Sequence, residues 1–174
     1  DNAYYLDTGW VSSDSTIELP NSSSIWIADK NTIGVNEPLK LTWTSDQNIT
    51  FEKIITLDEN YLFSVDQRVI NNSGLSFDLY PYGLSKRQGI PEMQNFFILH
   101  EGPLSITDGV LEEYDYDDLK DDKKIKHSSV GGWIGMTDKY WQTAIIPNQN
   151  EPVQQTYSYN LSLIHISEPT RPAI

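Results

Sequence analysis

Cysteine is absent from the 174 residues, which removes disulfides, thiolate metal sites and a cysteine nucleophile from consideration. No apolar run approaches the roughly 20 residues that a membrane-crossing helix needs. Basic residues are scarce: 12 lysines and arginines stand against 25 aspartates and glutamates, a formal net charge of -13. Such a surface repels phosphate backbones and anionic headgroups, which argues against nucleic-acid binding and leaves solubility as the use of the acidity. Also missing are a Gly-X-Ser-X-Gly elbow, a phosphate loop and a dinucleotide fingerprint. There is no initiator methionine and no signal peptide ahead of Asp1, so the chain is expected to begin inside a longer protein.

Helical periodicity is nearly absent too, and alternation takes its place. Leu39, Leu41 and Trp43 fall on one face of a strand, as do Ile49, Phe51, Ile55 and Leu57, with Lys53 interrupting the stripe. Asp58-Glu59-Asn60 supplies a turn, after which Tyr61, Phe63, Val65 and Val69 resume the alternation opposite Ser64, Asp66 and Arg68. The pattern predicts a long antiparallel hairpin with one buried and one wet face. A turn at Asn71-Asn72-Ser73-Gly74 precedes a strand expected around Leu75 to Tyr80. A second hairpin is expected from Asn95 to His100 and Leu104 to Thr107 around Glu101-Gly102-Pro103, and a further strand from Val110 to Tyr116. Ser12 to Ser15 and Pro20 to Ser24 read as loops, with Trp10 and Trp26 as buried anchors between strands. The charged stretch Asp115 to Lys126 reads first as a solvated loop; a short helix over Asp117 to Lys124, acids before bases, is the second reading. Many strands with frequent turns imply an all-β antiparallel sandwich.

Candidate chemistry is thin. Glu112-Glu113, Asp115, Asp117-Asp118 and Asp121-Asp122 are clustered in one charged segment, whereas paired catalytic carboxylates belong on rigid cleft walls. Asp115-Tyr116-Asp117-Asp118 lacks the glycine turn and distal glutamate of a calcium loop. His100 and His127 have no histidine partner at metal-ligand spacing. His100 and Glu101 are neighbours, and neighbours on a strand point to opposite faces. No catalytic, cofactor-binding or metal-binding residue is assigned, and no cofactor is expected. Tyr80, Tyr82, Trp26 and Tyr116 leave a second reading open, a carbohydrate-binding or mutarotase-like β-sandwich that stacks aromatics on sugar, although core packing is the first expectation for them.

The densest segment is Ser128 to Pro147. Gly131-Gly132 permits a positive-φ backbone beside Trp133; Trp133, Ile134 and Met136 are expected in the core. Thr137 or Asp138 then caps a short helix near residues 136–142 that carries Tyr140 and Trp141, and Ala144-Ile145-Ile146 forms a buried strand stopped by Pro147. This order of Gly-Gly-Trp, Met, Tyr-Trp and Ala-Ile-Ile-Pro resembles the periplasmic domain of the YidC-type membrane protein insertase family. Glu37-Pro38-Leu39-Lys40-Leu41-Thr42-Trp43, the hairpin from Ile49, the Asn71-Asn72-Ser73-Gly74 turn and Leu99-His100-Glu101-Gly102-Pro103 follow the family's order.

The resemblance implies a β-supersandwich similar to galactose-mutarotase-like proteins, facing the periplasm from the bacterial inner membrane. It implies a non-catalytic interaction and scaffold module of an insertase that assists insertion, folding and assembly of inner-membrane proteins, with or without the Sec translocon. The implied partners are Sec accessory subunits and nascent membrane proteins. The family's membrane groove has no counterpart among these residues.

Leu161 to Arg171 reads as the in-frame translation of a transposon adapter from sequencing libraries. The expected division is therefore a partial periplasmic β-sandwich domain over 1–160 and a non-native adapter-derived tail over 161–174, with His165 set aside as a ligand. A fragment ending there is expected to fold poorly by itself, because a sheet edge would lie unpaired.

Overall fold

Alternating segments become paired strands in the computed structural model, which describes residues 4–88, 100–138, 141–160 and 163–169. In chain order these are β1 (Tyr4–Val11), β2 (Ile27–Ala28), β3 (Leu39–Thr44), β4 (Ile49–Leu57), β5 (Phe63–Asn71), β6 (Tyr80–Gln88), β7 (Gly102–Thr107) and β8 (Val110–Glu113). Helix α1 (Tyr116–Asp122) follows, then β9 (Lys124–Val130), β10 (Trp133–Thr137), β11 (Gln142–Ile145), β12 (Pro152–Asn160) and β13 (Leu163–Pro169). The chain forms two compact units, one on Gly9–Leu79 and the other on Tyr80 onward together with β1 up to Thr8.

The Gly9–Leu79 unit is built on one antiparallel sheet, ordered β2-β3-β4-β5. The expected hairpin is there in register, with Ile49 opposite Asn71 and Leu57 opposite Phe63. Ile49 and Phe51 are fully buried and cluster with Trp10, Ile17 and Leu79. Phe51 meets Trp10 edge-on at 5.1 Å and Trp43 at 5.6 Å, aromatic pairings that add to the area they bury. Lys53 stays in the apolar stripe because its ammonium lies 5.9 Å from the Trp10 ring and 5.1 Å from Trp26, a cation–π environment that replaces part of its hydration. The second arm departs from expectation at its start. Tyr61 and Phe63 are exposed, not buried, because they lie at the tip beyond the end of the core.

Residues 75–79 do not form the expected strand; only Tyr80 of that segment is paired, as the first residue of β6. Phe77 and Leu79 pack on the core instead. Side chains take over part of the ladder's work: Asn71 Nδ2 donates to the Leu75 carbonyl at 2.7 Å and Ser12 Oγ to that of Asp78 at 2.8 Å.

The other unit holds two sheets, β1-β6-β13-β12-β9 and β11-β10-β7-β8. Ile134 and Met136 of β10, Tyr157 of β12, and Tyr116 and Leu119 of α1 fill the space between the layers. This is the all-β antiparallel sandwich expected, with its single described helix in a different place. Residues 136–138 and 141–142 are not helical: β10 runs to Thr137, pairs Met136 with Pro103 and Thr143, and reaches β11 through a turn closed by Asp138 N–H to the Trp141 carbonyl at 2.9 Å. Asp138 does cap, but it caps a turn, accepting the Trp141 amide at 3.2 Å. Tyr140 lies outside the described residues.

The helix sits in the charged segment, where a loop is the first expectation. Asp118 accepts the Asp115 amide at 2.9 Å, Asp117 and Asp118 occupy the positive end of the helix dipole, and Tyr116 and Leu119, three apart, share the buried face. Lys123 ends it in a left-handed conformation. The strand expected from Val110 to Tyr116 stops at Glu113, paired with β7. Of the second expected hairpin only β7 is described, since residues 89–99 lie outside the described set. Of Ala144-Ile145-Ile146 only Ile145 packs against the core: β11 is the end strand of its sheet, and Ala144 and Ile146 are exposed. Residues 163–169 form β13 between β12 and β6.

Gly131 and Gly132 hold φ values of 66° and 82°. A methyl on Gly132 would strike the Ile106 carbonyl oxygen, and one on Gly131 would stand 2.6 Å from that of Gln149. Replacing Gly132 with alanine is therefore expected to cost more than about 2 kcal/mol, through both φ strain and the steric clash. Phe51→Ala should cost about 3–5 kcal/mol through cavity formation. Urea midpoints followed by tryptophan fluorescence check both; an unchanged midpoint for either variant contradicts this packing.

Candidate functional site

The inner face of β12 carries Val153, Gln155 and Tyr157 at period two, all buried. Gln155, at 0% exposure, reaches from one sheet into the other. Its Oε1 accepts from Thr107 Oγ1 at 3.0 Å, and its Nε2 donates to the carbonyls of Ile106 at 3.3 Å and Trp133 at 3.4 Å. Beside it the Tyr157 and Ser105 hydroxyls are buried without closing a hydrogen bond of good geometry, and the nearby Ser105 hydroxyl only partly offsets the effect of burial on the Tyr157 phenol. Burial is the main cause that pushes the Tyr157 phenol well above its ordinary value.

A second buried cluster surrounds Arg87, whose side chain is 3% exposed. Its Nε donates to the Tyr4 hydroxyl at 2.8 Å and its guanidinium lies 3.8 Å from the Asp138 carboxylate; the Tyr4 hydroxyl donates to the same carboxylate at 2.8 Å. The arginine and carboxylate charges offset each other, and the Tyr4 hydroxyl bonded to both joins β1, β6 and the β10–β11 turn. The pair is too buried to be exchanged cheaply for solvent, and removing one member costs far more than the pair contributes. Burial and then the Asp138 hydrogen bond raise the Tyr4 phenol, and burial raises that of Tyr116, whose hydroxyl donates to the Thr137 carbonyl at 3.1 Å.

His100 and His127 make separate contacts. The His100 ring nitrogen meets the Pro103 carbonyl at 3.1 Å, and the His100 carbonyl accepts from Thr137 at 2.8 Å. These bonds tie the residue to β7 and β10. His127 meets the Tyr114 hydroxyl at 2.8 Å and stacks on its ring at 5.9 Å. Among the described residues no three histidines or carboxylates gather as a metal cluster would require. The acids of the charged segment cap α1 or face solvent, with Asp117 paired to Lys120. Trp10 and Tyr116 are core residues, and Trp26 packs on the first core. Tyr82 is half-buried and donates to Asp7 at 3.1 Å; burial, then that carboxylate, pushes its phenol up to about 12. Arg87 and Gln155 give no signal in the sequence: each is a polar residue in a polar segment, and only inward period-two placement beside Ser85 or Val153 marks it.

Two layers of antiparallel strands, bound internally by buried amide, guanidinium and phenol groups, define an all-β sandwich module. The chain belongs to the YidC periplasmic domain family, whose model matches residues 1–171. It is similar to the membrane protein insertase YidC of Pelagibacter ubique (strain HTCC1062), 40% identical over 160 residues, 91% of this chain and 28% of that protein. It is equally similar to the proteins of the same name from Rickettsia bellii (strain OSU 85-389), 40% identical over 159 residues, 91% of the chain and 28% of the relative, and from Rickettsia canadensis (strain McKiel), 40% over 163 residues, 93% and 29%. The chain thus spans less than a third of the length of these relatives.

Raised phenols have a consequence for stability. A tyrosine whose folded value lies above the ordinary value near 10 binds its proton more tightly in the fold than when unfolded. Its contribution is complete below about pH 10 and is lost as pH rises through the folded value. The melting temperature is expected to fall between about pH 10 and 12, and Tyr82→Phe is expected to flatten that slope. Thermal melts with absorbance at 295 nm check this; phenols that all titrate near pH 10 in the native chain contradict it.

Proposed function

We propose that this chain is a non-catalytic contact and scaffold module, facing the periplasm, of an inner-membrane protein insertase. Its parent assists insertion, folding and assembly of membrane proteins, with or without the Sec translocon. The observation that carries this reading is the family membership over residues 1–171, joined to the way polar side chains are used. Arg87, Asp138, Gln155 and His127 each bond within their own unit. A general base needs a free nitrogen or carboxylate facing a substrate cleft, and these groups are engaged in holding strands together. A contact module needs only a folded surface. Its partners on this reading are nascent membrane proteins and Sec accessory subunits. No described helix is long and apolar enough to cross a membrane.

Photo-crosslinking amino acids placed at exposed Ile27 and Trp141 in the full-length insertase, in membranes making a nascent membrane protein, test the proposal. Crosslinks to the nascent chain or to translocon subunits are expected. An absence of both, with millimolar monosaccharides raising the melting temperature through binding to the native state, would overturn it in favour of a sugar-binding sandwich.

A further inference from the structure

The β4–β5 hairpin closes without help from the apolar side chains at its tip. Asp58 Oδ1 accepts the amides of Asn60 and Leu62, both at 2.8 Å, the Asp58 amide donates to the Leu62 carbonyl at 3.1 Å, and the Tyr61 amide to the Asp58 carbonyl at 3.2 Å. That frame holds out three consecutive apolar residues: Tyr61 is 80% exposed, Leu62 53% and Phe63 56%. Exposed Val35 adjoins them through its bridge to Leu57, the strand partner of Phe63. Tyr61 also has φ 63°, a left-handed conformation where glycine or asparagine is cheaper. A tyrosine there is strained, and its ring is given to solvent instead of to the core. Strain kept at an exposed aromatic points to a use outside the fold.

The rim indicates the occupant. Glu59 and Glu37 are exposed beside the tip, and neither segment 34–37 nor 58–63 contains a lysine or arginine. An anionic lipid surface is repelled by such a rim, whereas a protein segment with basic flanks is attracted. We propose that Tyr61, Leu62, Phe63 and Val35 form a docking knob for a protein partner whose apolar residues are bordered by lysine or arginine. The proposal rests on the contact-module reading and assigns it a surface.

The test titrates the full chain into a fluorescent peptide of leucine and alanine with paired lysines at each end, and into the same peptide with paired glutamates. The lysine-flanked peptide should bind about ten-fold more tightly. Tyr61→Gly should leave the melting temperature unchanged or raise it, since glycine suits φ 63°, while weakening binding about ten-fold, as loss of an aromatic anchor does. Glu59→Lys should remove the preference between the peptides. Tyr61→Gly binding like the parent overturns the knob while leaving a contact surface elsewhere possible. Equal affinity for both peptides, or tighter association with phosphatidylglycerol vesicles than with the lysine-flanked peptide, also overturns it.

Discussion

The sandwich depends on one buried amide. Gln155 stands on the inner face of β12, in the five-stranded sheet, and bonds to β7 and β10 in the four-stranded one. Apolar contacts between stacked sheets are non-directional and tolerate sliding; an amide that must satisfy both its oxygen and its nitrogen does not. The bonds to Ile106 and Trp133 are long, so each contributes little directly, but leaving a fully buried amide unmatched costs about 1–3 kcal/mol. Register between the layers is therefore specified by what misalignment would strand. The same requirement bears on Gly132. A side chain on Gly132 would lie 3.5 Å from Gln155 Nε2 and collide with the Ile106 carbonyl that this nitrogen uses.

Arg87 repeats the logic elsewhere in that unit. Its guanidinium, the Tyr4 phenol and the Asp138 carboxylate bond to one another, and the aromatic face of Tyr4, 5.4 Å away, adds to the set. The Gly9–Leu79 unit uses a milder version, Lys53 between two indoles. In each case a polar or charged side chain links neighbouring segments of its own unit. What the proposed knob would present to a partner is apolar and held by backbone geometry, as at Tyr61. A module of this kind gains affinity from shape and desolvation, with acidic surroundings selecting what approaches.

Much of the architecture is legible in the sequence. Alternation at Leu39–Trp43 and Ile49–Val69 places β3, β4 and β5 with their faces, because a half-buried antiparallel strand leaves a period-two trace. Gly131-Gly132 beside Trp133 marks a corner, and the positive φ values agree. The helix is harder to place, for a physical reason: Thr137-Asp138 and Asp115 are both plausible caps, and Met136 and Trp141 look as helical as Tyr116 and Leu119. Pairing of β10 with strands on both sides decides the matter, a long-range fact absent from local sequence. β6 is nearly invisible, because Ser85 and Arg87 point inward where apolar residues would announce a strand. Tyr61 and Phe63 keep the alternation yet lie past the core, and periodicity does not say where a core ends.

The central claim, that Gln155 couples the two layers of the sandwich, is tested most directly by amide hydrogen exchange on the full chain and on Gln155→Leu. If the amide is the link, protection falls together in β7, β10 and β12, across both sheets, while β3 and β4 keep theirs. If the loss is confined to β12, or if protection is unchanged everywhere, the layers are held by apolar packing alone and the role assigned to Gln155 is wrong.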